Sequence, residues 1–430
     1  MHRRCPIGSD VVDTLELIVS SKATPTPGTG VGELATGDIM AQRTANTDTT
    51  TLADQYVLYG LPISYFTEKC RHAMTWYVRD GFRVELKSAG GALGGDADEY
   101  NEPTPTQTIE MRAATHQIPV VRTPENWMLA DSTPILQLLD SRLGSTTRRF
   151  YPAGLNGALA AVLEEYFDEW FARLAVFTRW SFFEENASSE DWPLRQVPAV
   201  AAAWGKRAVR ATLGGTELQQ EHGVKELQRV LGALNDHLEQ QRRGGGSGRF
   251  IFGDTPTAAD AVIYGGCTAH FLFDPAPIRM LRGRVDTLQA AVDGAAAPVP
   301  PRAFPLSASA GGHSHPSRPE VPEFVHLVLT EMAQNGCASF ARANAAALAQ
   351  GRKGAVSIDY HGTSCSYLCR PYPEKSRQLL RRFLATHLAV ACTAAERATF
   401  RELMEEKGLF DLYHPEGVDP SLQHSSASKL

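Results

Sequence analysis

The spacing of apolar residues divides the chain into three blocks between two polar ends. In the first block, residues 54–143, Tyr56-Val57-Leu58-Tyr59 is a short β-prone run that stops at Gly60-Leu61-Pro62. Phe66, Cys70, Ala73, Met74 and Tyr77 then recur at helical spacing over 65–79, and Phe82 to Leu86 alternates as a strand does. A glycine-rich, acidic connection runs from Gly90 to Pro105. Beyond it, Ile118-Pro119-Val120-Val121 and Trp127-Met128-Leu129 predict two more strands. Asp131-Ser132 opens a helix whose apolar face is Ile135, Leu136, Leu138 and Leu139. Strand, helix, strand, connection, strand, strand, helix describes a small mixed α/β layer.

The second block, residues 150–285, reads as helical. Leu159, Val162, Leu163, Tyr166, Phe167, Trp170, Phe171 and Leu174 keep an i, i+3, i+4 spacing over four turns. A connection around Asp191 to Pro198 leads to an Ala-rich helix, and another helix spans roughly 217–240. Thr257-Ala258-Ala259-Asp260 has the form of a capping box. Residues 286–320 are rich in Ala, Pro, Gly and Ser without periodicity, which predicts a linker or insertion. The third block, 321–413, is expected to be mainly helical, with stretches at 324–349 and 374–388 around a β-like run, Val356 to Tyr360. Residues 1–53 read as a disordered leader and 414–430 as a flexible tail.

Composition narrows the function classes. With 430 residues, two or three domains are expected. Lys plus Arg is 42 against 48 Asp plus Glu, a net charge of −6, so no basic field draws in nucleic acid or an anionic membrane surface. Seven scattered cysteines make no disulfide framework and imply a reducing compartment. No paired Cys-x-x-Cys, His-Glu-x-x-His or phosphate-binding glycine loop is present, and no metal is expected. The chain ends in Ser428-Lys429-Leu430 on a polar approach, the form of a peroxisomal import signal read by a receptor. The matrix of a peroxisome or glycosome-type organelle is therefore expected, with the cytoplasm as the alternative.

The residues after the first strand carry the chemistry. Ser64 stands at the expected N-terminus of the first helix, where unpaired N–H groups favour an anion. A thiol held there has its thiolate stabilised, and a hydroxyl donor adds a charge-assisted hydrogen bond. A serine in this place also serves as an ordinary helix cap. Tyr59 and Tyr65 flank the loop as rival hydroxyls, with Tyr65 the alternative to Ser64. Cys70 lies in the helix without a redox partner and reads as a buried apolar thiol.

The pattern Tyr-Gly-x-Pro-x-Ser-x-Phe-x-x-Lys-x-Arg over residues 59–71, followed by Ile118-Pro119-Val120 and Asp131-Ser132, resembles the cytosolic glutathione S-transferases. So does Gly253-Asp254 with Pro256-Thr257 and Ala259-Asp260 in the helical block. The resemblance covers roughly 54–285. It implies an α+β chain: a thioredoxin-like α/β domain, an all-α glutathione transferase C-terminal domain, and here an additional helical extension. It implies glutathione as co-substrate, Ser64 beside its thiol, and a cis Pro119 with Ile118 and the main chain of Val120 along its cysteinyl part. Asp131 and Ser132 would hold the γ-glutamyl end, with Asp131 where the family usually has Glu. Tyr166 or Trp170 would line the pocket for a small electrophilic substrate. A non-catalytic binding or scaffold protein, and a thiol-dependent isomerase, dehalogenase or peroxidase, stay open on the same fold. So does the oligomeric state, a homodimer included.

Overall fold

The computed structural model describes residues 55–77, 82–86, 109–115, 117–144, 148–195, 199–213, 216–296 and 320–414. The expected leader, the Ser428-Lys429-Leu430 end and residues 297–319 of the expected linker lie outside the described residues.

The apolar run of β1 (Tyr56–Gly60) is buried at all five positions, as a strand covered on both faces requires. It continues through α1 (Tyr65–Tyr77) into β2 (Phe82–Leu86), which pairs parallel to β1. A short helix, α2 (Ile109–Ala113), lies beyond the stretch read as a bare connection. β3 (Val120–Arg122) and β4 (Met128–Ala130) follow, and α3 (Ser132–Leu143) closes the layer. The sheet order is β2-β1-β3-β4, with β3 antiparallel to both β1 and β4. The Ile118-Pro119 bond is cis. This βαβ unit followed by an antiparallel pair and a helix is the expected thioredoxin-like layer.

The helical domain begins with α4 (Leu155–Glu165), passes through a π-helical segment, Tyr166–Phe171, and resumes as α5 (Ala172–Trp180). The wider turn rotates side chains after Glu165 away from where a 3.6-residue period would put them. α6 (Phe183–Ala187), α7 (Ala199–Thr212) and α8 (Glu217–Arg243) follow, the last begun by a Thr216–Gln219 capping box. α9 (Ala258–Gly266) starts at the capping box read from the sequence, with the Asp260 carboxylate accepting the N–H groups of Thr257 and Ile251, both at 2.7 Å. α9 lies flush on α1 because two glycines face it. A Cβ on Gly265 would come within 3 Å of the Lys69 backbone, and one on Gly266 would enter the Tyr65 ring. α10 (Pro275–Leu281) is followed by α11 (Asp286–Ala296), so the first third of the expected linker is helix.

The third block is more regular than its sequence suggested. Its first helical stretch is two helices, α12 (Glu323–Gln334) and α13 (Cys337–Ala349), broken at Asn335-Gly336 where Gly336 has φ 87°. β5 (Ala355–Tyr360) gains a partner strand, β6 (Thr363–Leu368), in a hairpin. α14 (Pro371–Val390) and the unexpected α15 (Ala394–Glu406) precede α16 (Phe410–Tyr413). The block is fastened to the helical domain by polar contacts. Tyr413 donates to Glu165 at 3.0 Å, Leu155 N–H to Glu396 at 3.2 Å, and Arg229 grips Glu331 bidentately at 2.8 and 2.9 Å. One apolar cluster takes in Leu58, Phe167, Leu234, Val328, Leu384 and Met404, so all three blocks share a core.

Candidate active site

Ser64 caps α1. Its N–H bonds the Leu61 carbonyl at 2.9 Å, and its Oγ accepts the Thr67 N–H at 3.3 Å. That cap bond uses one lone pair of the hydroxyl and leaves its proton able to donate elsewhere. Capping and thiolate stabilisation are thus compatible roles for one side chain. Ser64 is half-buried, whereas Tyr65 is turned into the core. The Tyr65 hydroxyl donates to the Phe167 carbonyl at 3.3 Å, its ring meets Phe271 edge-on, and burial pushes its pKa well up. The second candidate hydroxyl is therefore committed to packing. Tyr59 is buried within β1.

Val120 stands opposite Tyr59, which sets the cis Pro119 at the level of Gly60, where the chain leaves β1 for Ser64. Val120 also stands opposite Ala130, so partner strands flank it on both sides. Ile118, the residue before the proline, lies just beyond these pairings.

Asp131 precedes α3 with φ 80° and ψ 126° and makes no side-chain cap bond to that helix. A non-glycine residue in that region carries backbone strain, which the surrounding structure must hold in place. Ser132 is the buried first residue of α3, with helix-end N–H groups around it. Tyr372, on the first turn of α14, comes near the Asp131 carboxylate. Burial, with the Asp131 and Glu169 carboxylates nearby, pushes the Tyr372 phenol well up and keeps it protonated. No sequence signal marked Tyr372, because the contact joins residues of different blocks.

Lys69, one of the two basic positions after Ser64, is fully buried between the domains. Its ammonium pairs with Glu164 at 2.7 Å and with Asp168, and donates to Thr133 at 3.1 Å. Burial opposes that charge, but the two carboxylates outweigh it and hold the Lys69 pKa above its ordinary value. Tyr151 donates to Glu164 at 2.6 Å. A cavity of about 20 Å³, room for about one water, opens beside Thr133, Tyr151, Glu164 and Ser376. The legible signal for this cluster was the acidic pair of turns, Glu164-Glu165 and Asp168-Glu169, inside an otherwise apolar helix.

Tyr166 and Trp170 do not line an open pocket. Tyr166 is fully buried and donates to Glu226 at 3.0 Å, and Trp170, at 2% exposure, packs on Phe340, Tyr367 and the Arg173 guanidinium. Both face the third block. The edge toward α1 carries Glu164, Phe167 and Asp168 instead. Glu164 and Asp168, four apart, share the face toward α1, and Tyr166 and Trp170, also four apart, share the face that the third block covers.

Burial pushes the Cys70 thiol well up, which suits a packing role. Among the described residues, no group of three or more His, Cys, Asp or Glu side chains is placed to hold a metal, and no helix is long and apolar enough to cross a membrane.

Residues 191–279 match the family model described as glutathione S-transferase, C-terminal domain. A solved glutathione transferase from Phanerochaete chrysosporium is 16% identical, with 57% of this chain and 98% of that one covered at a TM-score of 0.36. A glutathione S-transferase from Methylobacterium radiotolerans, in complex with glutathione sulfonate, is 18% identical over 57% and 96%, at a TM-score of 0.32. A maleylacetoacetate isomerase from Anaeromyxobacter dehalogenans is 20% identical over 55% and 94%, at 0.27. No curated protein matches the chain. The match thus lies in the helical domain, which follows a layer of thioredoxin-like strand order.

Proposed function

We propose that the chain binds glutathione along the Ser64 end of the thioredoxin-like layer and activates its thiol for attack on a small electrophile. The observation that carries this reading is the Ser64 hydroxyl, half-buried at a helix N-terminus and oriented by its bond from Thr67, on the loop that leaves β1 at Gly60, the residue level with the cis Pro119. A thiolate there meets the positive end of α1 and one hydroxyl donor, and both favour the anion over the neutral thiol. In the reaction the thiol proton leaves, the sulfur lone pair forms a bond to the electrophilic carbon, and the electrons of the broken bond leave with the departing group. Ile118 offers backbone groups to the cysteinyl part, and Asp131 and Ser132 hold the γ-glutamyl end.

A second reading, thiol binding without conjugation, is favoured by one observation: the extension covers Tyr166 and Trp170, where an electrophile was expected to sit. Titration with glutathione, followed by tryptophan fluorescence, and conjugation assays with haloarene, epoxide and enone acceptors separate the two. Binding with turnover supports the transferase, and binding alone supports the second reading. Absence of binding removes both.

A further inference from the structure

Taking that thiol site as given, we propose that Lys69 and Thr133 are positioning residues, whose hydrogen bond sets the spacing between the two helix ends that hold opposite ends of the thiol ligand. Those ends are the start of α1, capped by Ser64, and the start of α3, at Asp131-Ser132. Lys69 lies on α1 less than two turns beyond Ser64, and Thr133 directly follows Ser132 on α3. The Lys69 ammonium donates to the Thr133 hydroxyl oxygen at 3.1 Å. One side-chain bond thus joins the two helices close to both ends.

The bond is fixed from a third side, by the helical domain. Glu164 accepts from Lys69 at 2.7 Å and lies 2.9 Å from the Thr133 oxygen, and Asp168 pairs with Lys69 and lies 3.1 Å from the same oxygen. Thr133 has one proton, so it donates to one carboxylate while its oxygen receives the lysine. Lys69, Glu164 and Asp168 are all buried. A charge displaced there loses its partner without gaining water, so the cluster favours one register of the helices over its neighbours. Asp131 enters α3 at φ 80°, a conformation its surroundings must hold, and the bond from Lys69 ties down the first turn of α3 just beyond it. A ligand gripped at both ends gains from the second grip only while the two sites keep the spacing its length demands. Preference for a thiol that carries a γ-glutamyl arm therefore depends on this bond.

The test is calorimetric titration of the full chain, wild type, Thr133→Val and Thr133→Ser, with glutathione and with cysteinylglycine, the same thiol without its γ-glutamyl arm. Valine has nearly the shape of threonine and leaves Lys69 with both carboxylates, so the fold keeps its buried ion pairs. Thr133→Val is expected to weaken glutathione binding roughly three- to tenfold, the scale of one lost hydrogen bond, and to leave cysteinylglycine unchanged. Thr133→Ser keeps the hydroxyl and is expected to bind both ligands as the wild type does. In a Lys69→Met background, Thr133→Val is expected to add less than about twofold, because the bond is already absent. A full further loss in that background means that Thr133 touches the ligand itself, and overturns the inference. The ligand comparison in the two Thr133 variants stands by itself if Lys69→Met does not fold. Equal weakening of both ligands assigns Thr133 a merely structural role and overturns the inference. Wild-type binding with an unchanged Thr133→Val overturns the inference alone, whereas a wild type without affinity for glutathione overturns the thiol-site reading along with it.

Discussion

The Arg179 guanidinium reaches from the helical domain to the carbonyl of Ile63, 2.8 Å away and one residue before Ser64. The same side chain pairs with the buried Asp274 at 2.9 Å, and Trp192 donates to that carboxylate at 2.8 Å. The loop that carries the candidate hydroxyl is thus positioned by a group 116 residues away in sequence. Domain packing and site geometry are one arrangement here.

Arg179→Met should destabilise the protein by about 3–5 kcal/mol, because it leaves Asp274 buried without its cation. Adding Asp274→Asn should recover part of that loss. Urea unfolding of the two single variants and the double variant checks this, and strict additivity would show that the pair is not coupled.

Ser64→Ala and Ser64→Gly separate the two roles of the serine. Alanine at an N-cap costs about 0.5–2 kcal/mol and glycine only a few tenths, so the two variants should differ in stability. Both lack the hydroxyl, so both should lose roughly ten- to a hundredfold in conjugation rate, with the pKa of the bound thiol raised. A thiol titration unmoved in both variants would leave Ser64 as a cap only.

His72 is buried on α1 with Nε2 at 2.9 Å from the Thr268 hydroxyl, and burial, aided by the Arg71 charge, lowers its pKa to about 3. The unfolded chain binds that proton near pH 6.5, so the neutral ring stabilises the fold above this value and the contribution is lost as pH falls toward 3. Between pH 7 and 5 the loss is on the order of 2 kcal/mol. His72→Phe should remove that slope from a plot of stability against pH, whatever its constant cost. Parallel curves for the two proteins would contradict the assignment.

Gly265→Ala tests how closely the two domains meet. Alanine is the better helix former by about 1 kcal/mol, yet its Cβ would lie within 3 Å of the Lys69 backbone. The clash should dominate, with a net loss of about 1–3 kcal/mol in unfolding free energy. A more stable variant would mean that α9 can move off α1 at little cost.

Local signals accounted for what was legible in the sequence. The strand before Gly60, the X-Pro start of β3 and the capping box at Thr257 each lie within a few residues, and each appears where its chemistry puts it. The capping position of Ser64 was legible because a helix N-terminus after a strand is a local feature. Tyr166 and Trp170 do share one helix face, but the third block packs on it through Asn335, Phe340 and Tyr367, a contact that residue spacing does not announce. The Lys69–Glu164–Asp168 cluster showed in the sequence only as acidic turns in an apolar helix, because which partner they take depends on contacts between blocks.

The hydrogen bond from Tyr413 to Glu165 joins residues 248 positions apart. At about 5–20 residues per second, synthesis on the ribosome separates the two by roughly 12–50 s. Through that interval the Glu165 carboxylate exists without Tyr413, and for a shorter time Tyr166 and Trp170 exist without Asn335, Phe340 and Tyr367. The nascent helical domain therefore carries an aromatic face that only the later third block covers, and a messenger truncated before α12 would leave that face as a target for holding chaperones and for quality-control proteolysis.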